Sequence, residues 1–300
     1  MFIMYNYDNK NLLKGLFMMK KYILPLALLV SSANALDIRY GKGDFEWSVG
    51  VVGMTDKSVT LDDQIISITE HHANFGDSSW YFFGNVDIHS SDRLDKMTDV
   101  IDDAMDMLPF SPSDIAPFPS SFEVSGIDLD IGIGYDLARD ENGFFGIGLV
   151  TGISTPFMEM HNYLDSYEFI KTSLEDTSTD VETYKYGVAV QAGYNFTENF
   201  SIYGTGTYAG QTGTLENELI DSKFDVTGTY SAFDVGLKFY PMGTMGSGSN
   251  FYINAGYAYK HWEIDDMDID LGGLFTVNLA SVIQTDMTSK YAYVGLGFSF

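Results

Sequence analysis

One property limits the folds open to this chain more than any other: apolar residues alternate with small or polar ones, with a period of two, over stretches of roughly ten residues. In the clearest stretch Ile127, Leu129, Ile131, Ile133, Tyr135 and Leu137 share one face, and Asp128, Asp130, Gly132, Gly134 and Asp136 the other. Phe145, Ile147, Leu149, Thr151 and Ile153 repeat the pattern after the short polar connection 138–143. Tyr184, Tyr186, Val188, Val190, Ala192, Tyr194 and Phe196 do so again, and 197–199 turns that stretch into 200–212. A further pair, 227–240 and 250–262, flanks the Gly-rich connection 241–249. No segment offers eighteen consecutive apolar residues, so no helix is available to cross a bilayer. A sheet closed on itself satisfies every backbone polar group in lipid, with one face toward lipid and the other toward a lumen.

The N-terminal end speaks for export. Lys20 and Lys21 precede the apolar run Tyr22–Val30, and Ala33-Asn34-Ala35 follows as a small-residue cleavage site. This is the arrangement of a secretory signal peptide cut after Ala35 and starting at Met18 or Met19. Residues 1–35 are therefore set apart, and 36–300 form one domain. The chain holds no cysteine, so neither disulfides nor thiolate zinc sites contribute. Sixteen Lys and Arg stand against 42 Asp and Glu, a formal −26. Taking away the four Lys and one Asp of residues 1–35 leaves 12 against 41, or −29. Such a surface repels nucleic acid and anionic substrates and suits divalent cations or cationic ligands. The 22 Phe and 20 Tyr cluster near strand ends, as aromatic girdles at two membrane interfaces require.

The last eleven residues, 290–300, complete the pattern. Ala292, Val294, Leu296, Phe298 and Phe300 fall on one face, opposite Tyr291, Tyr293, Gly295, Gly297 and Ser299. Tyr293, Gly295, Phe298 and the terminal Phe300 resemble the carboxy-terminal assembly signal of Gram-negative outer-membrane β-barrel proteins. That resemblance implies export to the outer membrane, periplasmic chaperones and the barrel assembly machinery as partners, and a surround of outer-membrane lipid and lipopolysaccharide.

Placing the C-terminus in the periplasm assigns a side to each connection. Short turns then lie on the periplasmic side, and the long acidic connections 156–180, 213–226 and 263–289 outside. Counting back requires a strand at 58–70 between 45–53 and 79–90, which yields an all-β, antiparallel, up-and-down transmembrane barrel of ten strands. Eight is the count if the region before Ser79 is not in the wall; twelve needs one strand more than is visible. The alternation at 266–283 is read as a loop hairpin or helix. In residues 92–108, Leu94, Met97, Ile101, Met105 and Leu108 recur at helical spacing before a Pro-rich segment, predicting a helical extracellular loop that acts as a lid, gate or plug.

Candidate chemistry is sparse. Asp87, His89 and Ser91 share one face of a strand, but residues two apart there are about 7 Å from each other, too far for a direct relay. Neither the Ser-His motif of lipid A deacylases nor the acidic-histidine pattern of outer-membrane proteases is present. Asp265, Asp266, Asp268 and Asp270 invite a calcium reading, but an EF-hand counted from Asp266 would place Leu271 at its Gly and Val277 at its Glu. Gly204-Thr205-Gly206 lacks the Lys of a phosphate loop and is read as relieving crowding in the lumen. No cofactor is expected. The expectation is a monomeric, non-enzymatic barrel, either a narrow or gated pore for small solutes or a structural, surface-binding protein. A hydrolase with a site at the extracellular rim and an adhesin are the alternatives.

Overall fold

The computed structural model describes residues 35–51, 57–91, 94–97, 119–162, 177–217, 222–242, 250–270, 276–278 and 283–299. Among them there is no helix. Ten strands close a ring: β1 (Ala35–Val51), β2 (Lys57–Asn74), β3 (Trp80–Ser91), β5 (Pro119–Arg139), β6 (Gly143–Asn162), β7 (Thr177–Thr197), β8 (Phe200–Asn217), β9 (Ser222–Phe239), β10 (Asn250–Asp270) and β12 (Ile283–Ser299). Each pairs antiparallel with its neighbours, and β12 closes the ring against β1, from Ala35 opposite Ser299 to Val51 opposite Ile283. Two short strands, β4 (Leu94–Met97) and β11 (Thr276–Asn278), extend the wall beside β5 and β10.

Ala35 at the start of β1, Ser299 at the end of β12 and the turns 75–79, 140–142 and 198–199 lie at one end of the barrel, the periplasmic end of such a fold. Nine of the ten strands run 17 to 21 residues, well beyond the roughly ten that cross a bilayer. The excess lies at the opposite, extracellular end. Near the periplasmic turns the outer face is apolar: Leu149, Tyr186 and Leu296 are 67%, 62% and 52% exposed. Trp80 meets Tyr135 and Phe200 meets Phe239 in a lower aromatic girdle, and Phe233 stacks on Tyr259 in an upper one. Above that level the outward residues turn polar, as Thr212 and Glu216 on β8, Asp225 on β9 and Glu263 on β10. A closed ladder with such a band places the chain in an outer membrane, with the barrel projecting beyond the lipid.

Several expectations need correction. The predicted helix at 92–108 does not form where the structure describes it. Leu94–Met97 is a strand paired with Pro119–Phe122 of β5. The reason is that β5 outruns β3, and the backbone groups it would leave unpaired are met by β4. Ile101, Met105 and Leu108 lie outside the described residues, as do Ala33 and Phe300. Of the two readings of 266–283, loop hairpin or helix, the described residues show the hairpin pairing, Asp268–Asp270 of β10 with Thr276–Asn278 of β11. The connections thought to begin at 156, 213 and 263 start as wall strands. Gly204 and Gly206 face outward, each with a single ordinary van der Waals contact near by, so they relieve no luminal crowding. Gly134 and Gly146 do that instead: the Tyr81 ring lies over both, where a Cβ would collide with it. The aromatics also divide between the girdles and the lumen, which holds Phe45, Trp47, Tyr81, Phe83, Tyr203, Tyr230, Tyr252, Trp262, Tyr291 and Tyr293.

Candidate functional site

The inward residues fill the lumen in layers. Near the periplasmic end, β1 sends Asp37 and Arg39 inward. The Arg39 guanidinium donates to Asp234 of β9 at 2.7 Å, to Asp37 at 3.1 Å and to the Tyr203 hydroxyl at 3.1 Å, and it lies 4.4 Å from the Tyr293 ring centre. Lys238 donates to the Tyr252 hydroxyl at 3.3 Å, and Tyr252 in turn donates to Asp37. His71 sits 3.2 Å from the same carboxylate. Its neighbour His72 also faces inward, 2.7 Å from Asp136 and stacked on Phe144. Two consecutive inward side chains break the alternation of a strand, and a bulge between Glu70 and Ala73 permits it.

At the height of the upper girdle a second network crosses the barrel. Asp128 of β5 receives Lys185 of β7 at 2.5 Å, Lys260 of β10, the Tyr230 hydroxyl of β9 at 3.1 Å and the Ser154 hydroxyl of β6. Lys260 also pairs with Asp87 of β3 at 2.6 Å, and Lys185 with Asp130 at 2.7 Å. Tyr291 donates to Asp87 at 2.5 Å, and the Trp262 indole donates to Ser154 at 2.9 Å. Lys185 and Lys260 are 1% and 4% exposed, and Asp87 is fully buried. Buried charges of this kind persist only when paired and hydrogen-bonded.

Above this network, where the wall leaves the membrane, the lumen is apolar. Phe45, Trp47, Leu61, Val124, Val181, Leu215, Phe224, Val226, Ile264, Met267 and Met287 pack with Tyr230 and Trp262 into one buried cluster. Among the described residues, two cavities lie below this layer, toward the periplasm. A cavity of about 200 Å³ lined by Glu70, His71, His72, Ser201, Lys238 and Tyr240 opens there. A smaller one, about 70 Å³, lies between the two networks and also touches Glu70 and His71.

The residues weighed for catalysis all face the lumen, and none forms a relay with the others. Asp87 is held by Lys260 and Tyr291, and Ser91 accepts a bond from the Val124 amide at 2.7 Å. His89 bonds Asp63 of the next strand at 2.7 Å, and Ser289 shares that carboxylate at 3.3 Å. The other His89 nitrogen meets no hydrogen-bond partner, and the ring as a whole lies edge-on to Phe45 and Trp262. Of the four aspartates weighed for calcium, Asp268 accepts from Asn278 across the hairpin at 2.8 Å, and Asp265 stands at a bulge. Among the described residues, no three acidic or imidazole groups converge on a metal position. Tyr293, Gly295 and Phe298, the residues of the expected assembly signal, lie in β12, with Tyr293 turned into the lumen and Phe298 outward.

Sequence reasoning missed the cross-barrel partners Arg39, Asp63, Lys185, Asp234, Lys238 and Lys260. A usable signal was present: in a chain with few cations, Arg39, Lys185, Lys238 and Lys260 occupy inward positions of β1, β7, β9 and β10.

No protein-family model matches the sequence, and no curated protein matches it. Solved structures similar to the chain include the outer membrane protease OmpT from Escherichia coli, at 10% identity and TM-score 0.47, covering 89% of this chain and 96% of that one. The translocator domain of the autotransporter NalP from Neisseria meningitidis is similar at 10% identity and TM-score 0.35, with 98% of each chain covered. Ail, the attachment invasion locus protein of Yersinia pestis, is similar at 13% identity and TM-score 0.30, covering 89% and 98%.

Proposed function

We propose that the protein is a non-enzymatic outer-membrane barrel with a closed lumen, working as a structural anchor whose acidic extracellular end binds cationic groups or divalent cations. The observation that carries this reading is Lys260, which reaches from β10 across the lumen to Asp128 on β5 and, with Lys185 and Tyr230, occupies the cross-section. The apolar layer above adds a second closure. A filled interior also agrees with the diameter of a ten-stranded barrel. The Asp63–His89 pair does not favour a hydrolase, because the second imidazole nitrogen is buried and His89 lines neither luminal cavity described above.

Planar-bilayer recordings test the proposal. The purified protein is expected to give no stepwise conductance, and deletion of 98–118 is expected to leave it silent, because the closure stands in the barrel itself. Regular conductance steps from the intact protein would overturn the closed-lumen reading and restore the pore.

A further inference from the structure

The two luminal cavities meet at Glu70 and His71, which line both, and the outer one reaches the periplasmic end past Asn142 and Asn195. At about 200 and 70 Å³ they fall below the roughly 300–1,000 Å³ of sites for drug-sized ligands, so an occupant is small. Their charged groups are unevenly matched. Arg39 is held by Asp234 at 2.7 Å and by Asp37 at 3.1 Å. Lys238 is held less firmly: among the described residues its one hydrogen bond goes to the neutral Tyr252 hydroxyl at 3.3 Å, and its one ion pair, with Asp37, spans 3.8 Å. An ammonium has three donors, so Lys238 can serve a ligand as well. On the acceptor side, Glu70 is buried and takes the His72 amide at 3.1 Å. A carboxylate carries about four lone-pair sites, so that bond and a ligand's ammonium can coexist. Gln191 is buried on the inner cavity, and its side-chain oxygen meets no hydrogen-bond partner among the described residues. Phe144 and Tyr194 give the outer cavity an aromatic wall.

We propose that this pocket binds a free α-amino acid from the periplasm. The ammonium lies at Glu70, on the side of the Gln191 oxygen, and the carboxylate meets Lys238. An apolar side chain rests on the Phe144 and Tyr194 rings. A plain cation would leave Lys238 without a counter-charge, and a plain anion would face Glu70 and Asp37. A small molecule with both signs close together matches both groups at once. A peptide terminus brings only one sign and is matched by half the site. The binding is independent of what the acidic extracellular end recognises, because the apolar layer stands between the two.

The test is isothermal titration calorimetry of the full-length protein in detergent. The probes are L-leucine, L-leucinamide, which lacks the carboxylate, and N-acetyl-L-leucine, which lacks the ammonium. Saturable one-site binding of leucine is expected, with both analogues at least tenfold weaker. Lys238→Met and Glu70→Gln are each expected to weaken leucine at least tenfold, and Lys238→Met also to erase the difference between leucine and leucinamide. The control Lys223→Gln, exposed at the far end of β9, is expected to bind leucine as the wild type does. Heat-modifiable gel migration checks that each variant is folded; should one fail, the analogue series on the wild type decides alone. No leucine binding would overturn the proposal. So would leucinamide binding as well as leucine, which leaves an amine site, or N-acetyl-leucine doing so, which leaves an anion site. Leucine binding unchanged in a folded Lys238→Met or Glu70→Gln variant would overturn it too.

Discussion

Asp128 takes hydrogen bonds from β6, β7, β9 and β10, more strands than its own ladder touches. Removing its charge leaves Lys185 leaning on Asp130 and Lys260 on Asp87. Breaking a buried pair by removing one partner costs about 3–5 kcal/mol. Asp128→Asn is therefore expected to lower the urea-unfolding midpoint in lipid or detergent markedly. Asp128→Asn combined with Lys185→Met is expected to recover part of the loss, since the orphaned cation goes with the anion. At the rim, the Asp265 carboxyl is raised above the ordinary carboxylate range by partial burial and by repulsion from Glu263, Asp266 and Asp286. A raised folded pKa means the folded rim holds the proton more tightly than the unfolded chain does. This group's contribution is thus gained on acidification toward the ordinary range and lost as pH rises through the folded pKa. Backbone hydrogen exchange at 263–268, corrected for the intrinsic rate, is expected to slow from pH 7 to pH 5, and Asp265→Asn to flatten that difference.

At the scale of the strand, the irregularities carry the information. The bulge between Ile264 and Asp266 resets the phase of β10, so that Ile264 and Met267 both face inward while Asp265 and Asp266 stay out. The sequence carries that shift as apolar residues at 262, 264 and then 267, and the bulge at 70–73 as two consecutive histidines. β5 and β6 are matched in another way: Gly134 and Gly146 leave the floor on which Tyr81 lies. Gly134→Val is expected to force that ring aside, at about 1–3 kcal/mol for overpacking. The same unfolding assay should show this loss, and Tyr81→Ala in the Gly134→Val background should reduce it. Recovery would not follow if Gly134 mattered only for backbone flexibility.

For the molecule as a whole, the outward surface defines a band whose height the lipid sets, and the lumen changes character along the same axis. Within the band the interior is charged and paired; above it, where no lipid surrounds the wall, the interior is an apolar core like that of a soluble barrel. This predicts that the folded protein resists unfolding in sodium dodecyl sulfate at room temperature and migrates differently once boiled. It should also fractionate with outer membranes; recovery of the mature chain as soluble periplasmic protein would contradict the fold's lipid-facing band.

What the sequence by itself determined is the closed ten-stranded wall: period-two alternation states which face each side chain takes, and chain direction then follows from loop length. The strand at 58–70 was legible on parity alone. The helical spacing of Leu94 and Met97 misled because local periodicity carries no account of the unpaired edge of β5 that β4 satisfies. Only the tertiary structure decided what fills the barrel. Alternation says that Lys260 and Asp128 both point inward, but the shear that brings β10 opposite β5 lies in the register of every strand between them, and no single stretch of sequence holds it.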